Sequence, residues 1–169
     1  MSSSSRRSLL KTLLALPVAG GLLVSCGYAP AYGPGSAMAG LQGRVRVADP
    51  ADKNGFDLVE RLEENLGRPD APLYDLTHTI TTSTDAVGIT PEGTITRYTL
   101  TGRVAWALTR RADATRITGG TVDSFTAYSA TGSTVAGLAA EEDAGLRLMR
   151  ILADQIVSQL IATSASWAP

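Results

Sequence analysis

The single cysteine of the chain, Cys26, is the residue best placed for covalent chemistry, because it ends an N-terminal apolar stretch. It closes the run Leu23-Val24-Ser25-Cys26, which has the form of a bacterial lipobox. Signal peptidase II needs a branched residue three places before the cut, small residues beside it, and a thiol that can carry a diacylglycerol thioether. We therefore expect cleavage between Ser25 and Cys26 and a lipid on Cys26.

The segment before Cys26 has the order of a signal peptide. Arg6, Arg7 and Lys11 precede an apolar run over residues 12–24 that is too short to span a bilayer comfortably. A conventional secretory cleavage site or a short anchor helix is the alternative interpretation. The paired arginines also resemble a twin-arginine export signal, but such pairs occur by chance in Sec signals, so both export routes stay open. Either route leads out of the cytoplasm.

Composition limits what the remaining chain can do. Removal of residues 1–25 from the 169-residue chain would leave 144 residues, enough for one domain with a real core. That portion holds 12 basic and 16 acidic residues, a formal charge of −4, which argues against binding to nucleic acid. With Cys26 acylated there is no thiol for a disulfide, for thiol catalysis or for a metal. About two acyl chains suffice for stable attachment to a membrane, so an anchored protein is expected.

A tether and the first elements of a domain follow the anchor. Residues 26–40 are rich in glycine, proline and small side chains, and we expect a tether there, with a single domain over residues 41–169. Alternating side chains predict a first strand from Leu41 to Val47. A helix should follow, capped by Asp52 or Asn54. It would present the apolar face Phe56, Val59, Leu62 and Leu66, and end at Gly67 and Pro69.

Three further strands are indicated by alternation of polar and apolar residues. They span residues 73–81, 98–109 and 116–128, and a polar turn separates the last two. Gly119 and Gly120 indicate a bulge or a close backbone approach in the fourth strand. The third strand has the clearest apolar face, made by Tyr98, Leu100, Gly102, Val104, Trp106 and Leu108.

The last element is predicted to be a helix from about Leu138 to Thr163. Its apolar stripe comprises Leu148, Met149, Leu152, Ile156, Val157 and Leu160. Acidic residues favour the positive end of a helix dipole, so we place Glu141, Glu142 and Asp143 in the first turn. The resulting order, β-α-β-β-β-α, predicts a single small α+β domain in which two helices pack on one face of a four-stranded sheet.

A search for catalytic chemistry finds little. His78 is the only histidine, and it is in phase with the apolar residues of the second strand, which favours a place in the core or on the sheet face. No serine elbow, zinc-protease helix motif or glycine-rich phosphate loop occurs. The acidic run from Glu141 to Asp143 is better explained as a helix start than as a cation site. We therefore expect no enzyme, no cofactor and no metal, with a small hydrolase using His78 as the remaining catalytic alternative.

The order of these features resembles the lipopolysaccharide-assembly lipoprotein family, LptE, in its alphaproteobacterial form. The resemblance covers essentially the whole chain and is carried by order and spacing more than by any one motif. The runs that carry it are the lipobox with Cys26-Gly27-Tyr28-Ala29-Pro30, then Arg97-Tyr98-x-Leu100, Ala140-Glu141-Glu142-Asp143-Ala144 and Leu152-Ala153-Asp154-Gln155-Ile156.

This resemblance implies a non-catalytic function at the outer membrane. Members of the family sit inside the outer-membrane barrel LptD, plug its lumen, help it assemble and assist insertion of lipopolysaccharide. Arginine suits lipid A phosphates, so Arg97, Arg103, Arg110 and Arg111 are the candidates for lipopolysaccharide contact, although a solvated sheet face and a basic turn are the preferred interpretation of these residues. The alternative function is a lipid-anchored periplasmic binding module for another envelope component.

Overall fold

The computed structural model describes residues 36–130, 132–164, 166 and 167, so Ser25, Cys26 and most of the predicted tether lie outside the described part. The predicted β-α-β-β-β-α order is confirmed, with one short helix added in front. The elements are α1 (Ala37–Leu41), β1 (Val45–Val47), α2 (Lys53–Leu66), β2 (Tyr74–Ile89), β3 (Ile95–Arg110), β4 (Arg116–Ser129) and α3 (Thr134–Ser164).

The four strands form one mixed sheet in the order β1-β2-β3-β4. The crossover through α2 makes β1 parallel to β2, while two tight turns make β2, β3 and β4 antiparallel. β1 has only three residues, so it pairs with β2 from Tyr74 to Leu76 alone. In the described part of the chain, β4 and the rest of β2 are therefore edges of the sheet.

The start of the domain differs from the prediction. Leu41 was expected to open the first strand, but it ends α1, and the strand begins only at Val45. The side chains of Met38 and Leu41 are buried against the core, so a segment predicted to be tether contributes to the domain. Ser36 caps α1, because its hydroxyl accepts a hydrogen bond from Ala39 N at 3.4 Å.

Helix α2 has the predicted ends but a rotated apolar face. Asp52 is the cap, since its Oδ1 accepts from Gly55 N at 2.7 Å, and Gly67 ends the helix with a φ of 75°. Phe56 was expected in the core but is 58% exposed, whereas Leu58 is fully buried. The buried stripe is therefore Leu58, Val59, Leu62 and Leu66.

The core lies between one face of the sheet and helices α2 and α3. Val104, Trp106 and Leu108 of β3 are at most 4% exposed, which confirms the predicted apolar register of that strand. At Gly102 the strand carries no side chain, and α3 packs directly on it: an added Cβ would lie 2.9 Å from Leu148 Cδ2. The missing side chain thus lets the last helix lie close against the central strand.

Helix α3 begins earlier than predicted and contains the acidic run in its interior. It starts at Thr134, after Ser133, whose hydroxyl accepts from Ala136 N at 3.3 Å. Glu141 to Asp143 therefore lie about two turns inside the helix, and their placement in its first turn was wrong. Asp143 instead pairs with Arg147 one turn later at 2.9 Å.

The glycine pair of β4 marks a close approach and no bulge. Gly119 and Gly120 pair in regular register with Ala107 and Trp106, and the irregularity lies earlier, where Ile117 has no partner. A Cβ on Gly119 would lie 2.7 Å from Trp106 O, which is closer than real Cβ atoms approach. Of the two readings of this pair, the close approach is confirmed.

In the described ranges there is no helix with both the length and the apolar character needed to cross a membrane.

Candidate functional site on the open face of the sheet

The sheet has one face without helices, and we call it the open face. Because side chains alternate along a strand, the odd-numbered residues of β2 up to Asp85 and of β3 from Ile95 to Thr109 point to this side. The even-numbered residues point to the other side, where Leu76, Val104 and Leu108 are buried. Register pairs continue the face across the sheet, as in Thr81, Arg103 and Asp123.

Hydroxyl side chains dominate the open face. They are exposed or half-exposed on all three long strands, at Thr77, Thr79, Thr81, Ser83, Thr99, Thr101, Thr109 and Thr121. Small apolar residues, Ala105 and Ala107, lie between them, and two large apolar side chains of this face are mostly exposed: Phe125 at 69%, and Ile89 at 63% where it pairs with Ile95. Threonine favours extended structure and presents a hydroxyl to water, so this face is both a stable strand surface and a polar one.

The four arginines predicted to contact lipopolysaccharide do not form a cluster. Arg97 and Arg103 are exposed on the open face, but Arg97 and Arg110 lie 13 residues apart on one strand, a separation of about 45 Å. Arg110 pairs with Asp113 at 3.2 Å, and Arg111 pairs with Asp75 at 3.4 Å. The ion pairs of the described residues leave only Arg97 and Arg103 of this group without a carboxylate.

Arg116 is a third arginine on the open face, and it was not among the four predicted from the sequence. Alternation from the buried Val122 would place it on the core side, but the extra residue Ile117 reverses the phase, so Arg116 pairs with Thr109. Its guanidinium lies over Gly119, where an added Cβ would come within 2.5 Å of Nη2. In the sequence, Gly119 and Gly120 indicated an irregularity in this strand. They did not show that the extra residue is Ile117, and so they did not show on which face Arg116 lies.

A shallow depression of about 360 Å³ adjoins this guanidinium. Its floor is low because Ala105 and Ala107 are small, and the hydroxyls of Thr77 and Thr79 form its side. Thr77 donates to Ala107 O at 3.4 Å, so part of its hydrogen-bonding capacity is already used. The depression offers one cation and several neutral hydroxyls, and these groups can bind an anion or a sugar. Its lining residues do not include a nucleophile paired with a base.

His78 lies on the core side, as its phase predicted. It pairs in register with Trp106, and its Nδ1 is buried without a hydrogen-bond partner among the described groups. Burial lowers the pKa of His78 below 6.5, and the negative charge of Asp52 opposes this effect only in part. A neutral imidazole in this position is a packing residue.

The remaining titratable groups do not form a metal site in the described residues. No group of three or more histidine, aspartate or glutamate side chains converges there. The strongest ionic contact joins the two long helices: Arg61 Nε and Nη2 donate to the two oxygens of Asp154 at 2.9 and 3.2 Å. These hydrogen bonds raise the pKa of Arg61. The pair is a partly exposed link between the two helices.

The fold and this surface define a class of protein: a small α+β domain with a helical layer on one side and a polar, hydroxyl-rich sheet face on the other. Two crystal structures share the fold. A protein described as a lipoprotein of Caulobacter crescentus is 23% identical, with 77% of this chain and 96% of that chain covered and a TM-score of 0.66. Rare lipoprotein B of Shewanella oneidensis is 16% identical, with 72% and 95% covered and a TM-score of 0.55.

A solution structure of a lipoprotein B from Nitrosomonas europaea is 17% identical, with 73% of this chain and 84% of that chain covered and a TM-score of 0.55. No protein of curated function matches the chain. The sequence model of the LptE family, described as lipopolysaccharide-assembly, matches residues 43–160. Since this range is more than half of the 169 residues, the chain belongs to the LptE family.

Proposed function

We propose that this protein is an outer-membrane lipoprotein that plugs the LptD barrel, helps it assemble and assists transport of lipopolysaccharide to the cell surface. The observation that carries the proposal is family membership over residues 43–160, together with a fold whose open face is polar. The lumen of an outer-membrane barrel is polar, so a plug must bury its apolar side chains internally and present polar groups to the wall. The threonines of the open face meet this requirement.

The lipid anchor on Cys26 is part of the proposal. An anchor keeps the domain at the membrane that contains the barrel and so raises its effective concentration at the lumen. Any tether that is long enough to reach the barrel gives this advantage without a new protein contact. The proposed location is therefore the outer membrane, with the domain facing the periplasm or the lumen.

Lipopolysaccharide contact is proposed for the open face and not for the basic turn. Arg97, Arg103 and Arg116 have no carboxylate partner in the described structure, whereas Arg110 and Arg111 are already paired. A guanidinium without a carboxylate partner can donate hydrogen bonds to a lipid A phosphate without first losing an ion pair. The role proposed for the protein is non-catalytic.

Depletion of the protein in its own cells tests this function. If it plugs and assembles the barrel, depletion should lower the amount of mature LptD, raise permeability to large antibiotics and reduce lipopolysaccharide at the surface. A control strain depleted of an unrelated outer-membrane lipoprotein should keep all three at normal levels. Unchanged barrel, permeability and surface lipopolysaccharide would refute the plug and favour a binding module for another envelope component.

A further inference from the structure

The edge of the sheet formed by β4 is long and unprotected. β4 has 14 residues, about 45 Å of strand, and none of the described elements pairs with its outer side. Proteins usually protect such an edge with proline, lysine or a central bulge. β4 contains no proline or lysine, and its one irregularity lies at Ile117, next to the start of the strand.

The free backbone groups of this edge can be identified from the ladder. Ala130 N donates to Thr96 O at 3.0 Å, so the even-numbered residues of β4 exchange hydrogen bonds with β3. Alternation then directs the N–H and C=O groups of Thr121, Asp123 and Phe125 away from the sheet. These three N–H groups therefore lie outside the hydrogen-bonded ladder between β4 and β3.

A groove runs beside the same edge. It has a volume of about 580 Å³ and lies between β4 and one side of helix α3. Its wall on the helix consists of Ile151, Gln155 and Gln159, spaced one turn apart, and Val122 belongs to the wall on the strand. The Gln159 side chain is held in place, because its Oε1 accepts the indole N–H of Trp106 at 3.1 Å.

Exposed apolar side chains flank the edge on both sides. Ile151 is 40% exposed in the groove, and Phe125 is 69% exposed on the open face. An added strand would cover both, since its side chains alternate between the groove and the open face. A free strand edge beside a helix-lined groove is the arrangement that binds extended peptides by strand addition.

We infer that the β4 edge docks an extended segment of the barrel partner by strand addition. The inference rests on the proposed function. A closed barrel leaves none of its own strands unpaired, so the occupant is a loop or turn segment of the barrel that enters the lumen.

Charge indicates the chemistry of this segment. Asp123 is on the open face beside Phe125, and its register neighbour Arg103 on β3 forms no ion pair with it within 4.0 Å, so the outer side of Asp123 is open to a cation. Asp154 at the groove is already paired with Arg61. An occupant with a lysine or arginine opposite Asp123 and an apolar residue two positions away, opposite Phe125, satisfies both side chains.

Photo-crosslinking of the full-length lipoprotein in its own cells tests this docking. The residue p-benzoylphenylalanine replaces Phe125 in one variant and Ile151 in a second, and Phe56, which is exposed to a similar extent on α2, is the control. We expect adducts with the barrel from positions 125 and 151 and none above background from position 56.

Two proline variants identify backbone pairing as the cause. Thr121→Pro removes a free N–H of the β4 edge without breaking a bond to β3, so it should abolish the adduct from position 125. Thr84→Pro is the matched control. Ala48 N donates to Leu76 O, which shows that the backbone N–H and C=O groups of the even-numbered residues of β2 point away from β3. Since β1 does not reach Thr84, the N–H of Thr84 is also outside the ladder. This variant should leave the adduct unchanged.

The outcomes separate the two proposals. A barrel that co-purifies without adducts from positions 125 and 151, or adducts that persist in Thr121→Pro, would overturn strand addition and leave the plug intact. An adduct of twice the mass of this chain would also overturn it, because the edge would then be a contact between two copies. If the barrel does not co-purify at all, the plug itself fails, and the docking inference fails with it.

Discussion

The indole N–H of Trp106 donates to Oε1 of Gln159 at 3.1 Å and joins the central strand to the last helix. The contact passes over Gly120, where an added Cβ would lie 3.0 Å from the same oxygen. The glycine pair of β4 thus leaves room for a hydrogen bond that satisfies a buried aromatic donor. It also orients the side chain that lines the groove beside the β4 edge.

Trp106 should be the most sensitive position of the sheet. It is 4% exposed, so Trp106→Ala removes a large buried ring and should lower the free energy of unfolding by about 3 to 5 kcal/mol. Thr101→Ala, on the open face of the same strand, should have a much smaller effect. Chemical denaturation of the soluble domain measures both, and equal losses would show that the strand register is wrong.

Two glycines should respond to alanine with opposite signs. An added methyl at Gly102 would lie 2.9 Å from Leu148 Cδ2 and 3.0 Å from Leu152 Cδ1, so Gly102→Ala should destabilise the domain by about 1 to 3 kcal/mol. At Gly137, inside α3, nothing lies within 4 Å, so Gly137→Ala should stabilise it by about 0.5 to 1 kcal/mol. Thermal melts of the two variants compare them directly. A loss of stability in both would mean that α3 is not helical at Gly137.

His78 should make the domain less stable in mild acid. Burial lowers its pKa in the folded state below the value of 6.5 expected in the unfolded chain, so the unfolded state binds the proton more tightly. The contribution of the neutral His78 to the free energy of unfolding is therefore fully present above pH 6.5. It is lost as the pH drops from 6.5 towards the pKa of His78 in the folded state.

Denaturant titrations between pH 5 and pH 8 test the histidine effect. The variant His78→Gln cannot titrate, and the difference between wild type and variant isolates the contribution of this one side chain. We expect the free energy of unfolding of the wild type to decrease, relative to that of His78→Gln, as the pH falls below 6.5. A difference that does not change with pH would contradict a lowered pKa for His78.

Cys26 should be required for processing. If it carries the anchor, Cys26→Ala should leave a precursor of unchanged length that incorporates no labelled palmitate, because signal peptidase II acts on the lipidated thiol. Metabolic labelling and immunoblotting measure both quantities, with the wild-type protein as the control. Normal cleavage or normal acylation of the variant would rule out the lipoprotein interpretation.

Local patterns predicted most of the secondary structure. The alternation around Trp106 gave the correct buried face, and Asp52 and Gly67 gave the correct ends of α2, because capping and strand periodicity depend on neighbouring residues. The family resemblance also came from order and spacing. The match of the LptE family model over residues 43–160 confirms that resemblance.

The wrong predictions have one physical origin. A local sequence pattern does not determine which element of the fold packs against a given side chain. Phe56 is apolar and in phase with Val59, yet α2 turns Leu58 to the core and leaves Phe56 exposed. Met38 and Leu41 belong to the core through contacts with residues distant in the chain, including those of α3. Glu141 was placed at a helix start because acidic residues favour that position, but the helix extends further toward the N-terminus.

The open face and the β4 edge were also predictable from the sequence only in part. Sequence by itself determined that threonines and arginines alternate with a buried face, since side chains on a strand alternate whatever lies around them. Only the tertiary structure decided that Arg116 joins the open face, because the single extra residue Ile117 reverses the phase of the strand. The tertiary structure also decided that the β4 edge at Phe125 is unpaired and lies beside the groove that contains Ile151. Strand order and helix placement depend on contacts between residues distant in the chain.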